Sequence, residues 1–168
     1  MTENSQAAGA NEPSPYNLLF VCTGNTCRSP MAAALARAEL ARRGWQHVTV
    51  QSAGSAAVSG QPAADFAVIV LAKHGIALDE HSAQPLSAEL VQNADLILVM
   101  SSSHLFAVSE LGGAEKAAMI TQFLEGENAG AAVEDPFGGD EPAYERAYEQ
   151  LEQAVHTVIA RLEPILAP

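Results

Sequence analysis

Short apolar runs alternate along the chain with longer segments in which apolar residues recur every three or four positions. The first run, Asn17 to Val21, is almost continuously apolar, as expected of a short buried strand. A knot of small polar residues follows, and then "MAAALARAELARR", a helical segment that stops at Gly44. Pro30 suits the first helical turn, and Ser29 suits the capping position before it. Val48 to Ser52 alternates as a second strand, and "SAGSAAVSGQP" reads as a loop. Ala63 to His74 predicts a helix ended by Gly75, and Pro85 to Asn93 a shorter one. "ADLILVM" is the plainest buried strand, "SSSHLFAVSEL" a capped helix ended by Gly112-Gly113, and "KAAMITQ" a fourth strand. "VEDPFGGDEP" reads as a loop. Tyr144, Ala147, Tyr148, Leu151, Val155, Val158, Ile159 and Leu162 then trace one face of an amphipathic helix, whose stripe reads as core packing.

Strands that alternate with helices predict an α/β fold: a four-stranded parallel sheet flanked by helices on both faces. The chain has 168 residues and 48% hydrophobic content, enough for one domain, expected over 16–168, behind a flexible tail over 1–15. Twenty acidic residues against eight basic ones leave a net charge of −12, which disfavours nucleic acid and anionic membranes as partners. The tail lacks the basic and apolar regions of a signal peptide, and no apolar run reaches membrane-spanning length. The expected location is the cytoplasm, and the expected state a monomer.

Both cysteines of the chain, Cys22 and Cys27, fall in "VCTGNTCRS", directly after the first strand. In parallel sheets, ligands sit at the carboxyl ends of strands. Two thiols in one turn are no disulfide framework; catalysis, redox sensing or metal binding are the alternatives. The five small or polar residues between Cys22 and Arg28 can turn successive backbone N–H groups inward as an anion nest. The helix that follows adds its positive end, and Arg28 a planar fork for two phosphoryl oxygens. The same field is expected to ionise Cys22 below the usual thiol pKa of about 8.5, making it a nucleophile. Ser29 can donate to that sulfur. A leaving group also needs a proton, and Asp135 in "EDPFGG" is the candidate acid and base, with Glu134 and a bound phosphate expected to help it keep its proton. The scheme needs no metal and no cofactor.

"VCTGNTCRSPMA" together with "DPFGG" strongly resembles the low-molecular-weight protein tyrosine phosphatases, and "SAGS", "KHGI", "HSAQPL" and "ADLILVM" extend the resemblance from about Asn17 over nearly the whole chain. The resemblance implies Cys22 as nucleophile, Arg28 as phosphate ligand and Asp135 as acid. It places phosphate and substrate binding at Thr23, Gly24, Asn25, Thr26, Cys27, Ser29 and Phe137, with Asn25 and Ser29 organising the loop and His81 supporting Asn25. Phosphorylated proteins or peptides are the implied partners. Thr26 stands where the family more often has a bulkier aliphatic residue, "SAAVSG" carries no aromatic wall, and Phe137 is followed by Gly138. Thr26 with "DPFGG" resembles the protein arginine phosphatase branch, which implies phosphoarginine before phosphotyrosine.

Arsenate reductases of similar loop pattern need a further cysteine pair downstream, and this chain has no Cys after Cys27. A non-catalytic phosphate-binding module would need neither Asp135 nor a charged Cys22. A nucleotide P-loop would need Gly-Lys-Ser/Thr, and the Cys and His spacings give no zinc ligand set. Cys27 is expected to pack the loop, and to trap oxidised Cys22 as a regulatory disulfide.

Overall fold

A computed structural model describes residues 12–78 and 80–168. Of the expected tail, residues 1–11 lie outside the described residues; Glu12 to Pro15 are exposed and lead into the first strand. Four strands, β1 (Tyr16–Cys22), β2 (Val48–Gly54), β3 (Leu96–Val99) and β4 (Ala117–Met119), form one sheet in the order β2-β1-β3-β4. Every pairing is parallel, with Cys22 opposite Gly54 and Val21 opposite Val99. Helices α1 (Arg28–Arg43), α2 (Asp65–Lys73), α3 (Ala88–Asn93), α4 (Ser102–Glu110) and α5 (Glu141–Leu166) complete the chain.

The side-chain alternation of β1 divides the core. Leu18 and Phe20 face one side, where they join Met31 of α1 and Leu151, Val155 and Ile159 of α5. Leu19 and Val21 face the other, with Val91 of α3, Val108 of α4, and Ile97 and Val99 of β3. The buried alanines Ala32, Ala33, Ala34 and Ala36, with their small side chains, let α1 pack closely between the sheet and α5. Gly44 ends α1 in the left-handed conformation, φ 72°, where a Cβ would be strained. Asp140 caps α5 by accepting from the Ala143 amide at 3.1 Å.

Several boundaries differ from the sequence-based expectation. The capping position of α1 is Cys27, and Ser29 lies inside the helix with its hydroxyl turned to Cys22. Pro85 is extended, bridged to Gly54, because the Leu86 amide donates to the Gly54 carbonyl at 2.8 Å. The short helix α3 therefore starts only after Ser87, which caps it. β4 keeps three residues of "KAAMITQ", since the chain turns after Ile120. α5 begins at Glu141, three residues before the first residue of its apolar stripe. No helix among the described residues is long and apolar enough to cross a membrane.

Candidate active site

Cys22 ends the central strand, and the chain from Thr23 to Cys27 curls over the carboxyl edge of the sheet into α1. Asn25 makes the turn possible. Its φ of 56° is left-handed, a region that Asn tolerates better than most residues. Its side chain is fully buried and fully used. Nδ2 donates to Ser29 Oγ at 2.8 Å and to Ser52 Oγ at 2.9 Å, while Oδ1 accepts from the Gln84 amide at 2.9 Å. The Asn25 carbonyl accepts from His81 Nε2 at 2.6 Å. Burial holds the His81 pKa below its ordinary value, as does the charge of Arg37, so the ring is neutral with its proton on Nε2.

The Ser29 hydroxyl has one proton and accepts from Asn25. Its oxygen lies 2.9 Å from the Cys22 sulfur and 3.5 Å from the Ala53 carbonyl, so that proton can serve either acceptor. Cys22 thus lies within hydrogen-bond reach of the Ser29 hydroxyl and at the mouth of a helix N-terminus. Further backbone bonds fasten the loop to its neighbours: Ser55 N to Cys22 O at 2.9 Å, Ala56 N to Thr23 O at 2.9 Å and Ala64 N to Thr26 O at 2.9 Å.

Arg28 is 6% exposed. One terminal nitrogen donates to the Val133 carbonyl at 3.2 Å, and the other lies 3.4 Å from Asp135 Oδ2. The "EDPFGG" segment thus closes over the loop from the far end of the chain. Glu134 turns away: its carboxylate pairs with Arg146 through two bonds of 3.1 Å, which hold its pKa below the usual range. The negative neighbour expected beside Asp135 is therefore absent from that side. Asp135 is half exposed, and Phe137 is 76% exposed. A cavity of about 240 Å³ is lined by Cys22, Thr23, Gly24, Thr26, Cys27, Arg28, Ala56, Gln61, Asp135 and Phe137.

Among the expected binding residues, Asn25 and Ser29 do not line this cavity; both are fully buried behind the loop as its scaffold. Cys27 and Cys22 are free, buried thiols. Cys27 Sγ lies 3.3 Å from the Tyr144 hydroxyl, and burial pushes the pKa of both groups up.

Residues 17–165 match the family model for low molecular weight phosphotyrosine protein phosphatase. The chain belongs to this family. A probable low molecular weight protein-tyrosine-phosphatase, EpsP, of Ralstonia nicotianae is 40% identical over 148 residues, covering 88% of this chain and 97% of EpsP. A protein-arginine-phosphatase of Bacillus subtilis is 36% identical over 149 residues, covering 88% of this chain and 97% of its own. Among solved structures, the YwlE arginine phosphatase, in a Cys-to-Ser mutant with a phosphorylated active-site serine, superposes with a TM-score of 0.82 at 35% identity. That match covers 89% of this chain and 97% of YwlE. The four-stranded parallel sheet is that of these phosphatases.

Sequence reasoning missed five residues at this site. Ser52 and Gln84 hold Asn25, and Ala56 and Gln61 line the cavity. His104, 1% exposed, bonds Thr23 Oγ1 through Nε2 at 2.9 Å. Only His104 carried a signal, since it follows the third strand in the position where parallel sheets build sites.

Proposed function

We propose that this phosphatase hydrolyses phosphoarginine on proteins through a phosphorylated Cys22. The Cys22 thiolate attacks phosphorus in line; the P–N bond breaks, and its electron pair leaves with the guanidino nitrogen, which takes a proton from Asp135. Water then attacks the cysteinyl phosphate and gives its proton to Asp135; the S–P bond breaks, and inorganic phosphate and the thiolate return. Arg28 and the loop amides face the equatorial oxygens, where charge builds in the transition state. A phosphoryl dianion drawn into the fork of Arg28 competes with Asp135 for it, which frees the carboxyl to serve the leaving group.

The observation that carries the substrate assignment is the lining of the cavity. Phe137 is the one aromatic among the described lining residues, and the loop after β2 contributes only Ala56 and Gln61. A phenyl ring would find a single stacking partner there, most of whose surface is in water. A guanidinium would find polar partners in Thr26, Gln61 and Asp135. The similarity to EpsP supports phosphotyrosine as the second reading. In either case the protein acts as a cytoplasmic monomer whose charge turns it away from nucleic acid.

Matched peptides carrying phosphoarginine or phosphotyrosine, turned over in parallel with Cys22→Ser as control, decide between them. The expected result is a higher kcat/KM for phosphoarginine, abolished by Cys22→Ser. A tenfold or greater preference for phosphotyrosine rejects the arginine reading.

A further inference from the structure

His104 is a buried imidazole that the chemistry above does not use. It stands in the first turn of α4, and both of its ring nitrogens are bonded: Nε2 to Thr23 Oγ1 at 2.9 Å and Nδ1 to Ser101 Oγ at 3.1 Å. Ser101 occupies the capping position of α4, yet its hydroxyl makes no cap bond to the helix. It bonds the imidazole and Ser103 Oγ instead, the latter at 2.8 Å. A favourable cap is thus given up to orient a side chain.

The ring reaches across 81 residues of sequence to the residue that follows Cys22. Thr23 is itself exposed at the rim of the cavity, so nothing about burial would hold its side chain in one rotamer. Its carbonyl is taken by the Ala56 amide at 2.9 Å and its hydroxyl by His104, which pins it from two directions. We propose that His104 is a positioning residue that acts through the Thr23 hydroxyl to hold the first peptide unit of the phosphate loop at its working distance from Cys22.

The charges around the ring suit this role. The charged groups that bear on it are Arg28 and Asp135. Burial, reinforced by the guanidinium, brings its pKa down to about 4, so near neutrality it adds no second cation to compete for the phosphoryl group. One ring nitrogen then donates and the other accepts, and hydroxyls at both ends satisfy either tautomer.

The inference rests on the phosphatase reading, and its test separates the two. His104→Phe keeps an aromatic ring, somewhat larger, and removes both bonds; Thr23→Val removes the other partner; His104→Gln restores one polar reach. Each variant is assayed for kcat/KM on phosphopeptide and for competitive inhibition by inorganic phosphate, with circular dichroism reporting the fold. His104→Phe and Thr23→Val are each expected to lose about ten- to hundredfold in kcat/KM and to weaken phosphate inhibition, as for one strained or lost buried hydrogen bond. The double variant is expected to be no worse than the poorer single one, and His104→Gln to recover to within a few fold of wild type. A residue that merely fills the core would give independent, multiplying losses and no rescue. Folded His104→Phe with wild-type kcat/KM, or multiplying losses in the double variant, overturns the proposal. If His104→Phe does not fold, Thr23→Val with undiminished kcat/KM overturns it equally. An inactive wild type would instead sink the phosphatase reading.

Discussion

Adding one methyl group at Gly54 probes the phosphate loop without removing any group from it. Gly54 lies opposite Cys22 in the sheet, and its own φ is not left-handed, so alanine meets no backbone strain there. What alanine meets is space already filled. A Cβ built on Gly54 falls 2.8 Å from Ala57 Cβ, 2.9 Å from the Asn25 nitrogen, and closest of all to the Thr23 carbonyl oxygen. Ordinary contacts of this kind are about 3.5 Å, so backbone atoms of the loop must retreat by about 0.6 Å or more. They cannot do so freely. The Thr23 carbonyl is bonded to Ala56, and Asn25 is held on three sides. Overpacking against such backbone costs about 1–3 kcal/mol of stability. Misplacement of a catalytic group by close to 1 Å costs on the order of a hundredfold in rate. Gly54→Ala is therefore expected to fold, to melt several degrees lower, and to lose about 30- to 100-fold in kcat with a smaller change in KM. Steady-state kinetics beside thermal melts test this. Wild-type kcat with an unchanged melting temperature would show that the loop is not held as the hydrogen bonds imply.

Other predictions rest on single contacts. Asn25→Ala places a Cβ residue without a local partner at φ 56° and strands Ser29, Ser52 and the Gln84 amide; it should lower kcat by more than a hundredfold, and a loss under fivefold by steady-state assay would contradict the scaffold assignment. Tyr144→Phe removes only the hydroxyl beside Cys27 and should cost about 1 kcal/mol in urea unfolding while leaving kcat within about threefold. The pKa of His104 lies near 4 in the folded chain and at 6.5 when exposed, so its contribution to stability is complete above pH 6.5 and is lost as pH falls towards 4. The ceiling is about 3 kcal/mol, and it would vanish from the pH dependence of unfolding in His104→Gln; parallel slopes for the two proteins would refute it. Mild peroxide should convert the Cys22 sulfur to a sulfenic acid that the Cys27 thiol displaces as water, leaving a disulfide reversible by dithiothreitol. Peptide mapping that recovers only sulfinic Cys22 would discard that device.

The parts of the molecule readable from sequence are those in which local pattern and tertiary need coincide. β1 is apolar on both faces because helices cover both, and α5 is periodic because one stripe of it is buried. The cysteine loop was legible because small residues, a strand end and a helix start stand side by side. Ser29 misleads for a physical reason: Ser before Pro is a sound capping signal, but here a sulfur seven residues earlier claims the hydroxyl. Pro85 reads as a helix start, whereas its place is decided by Gly54, distant in sequence. His104, within "SSSH", looks like part of a cap, because its true partner is 81 residues away. Nor could pattern reveal that Glu134 would turn to Arg146 and leave Asp135 to Arg28.

The bonds of Arg28 to Val133 and Asp135, and of Cys27 to Tyr144, join the start of the domain to its end. A ribosome that has made Cys22 must still deliver more than a hundred residues before Arg28 and Asp135 can meet. On the mechanism proposed above, dephosphorylation waits on synthesis through α5, and a nascent chain stalled short of that helix would be a silent one.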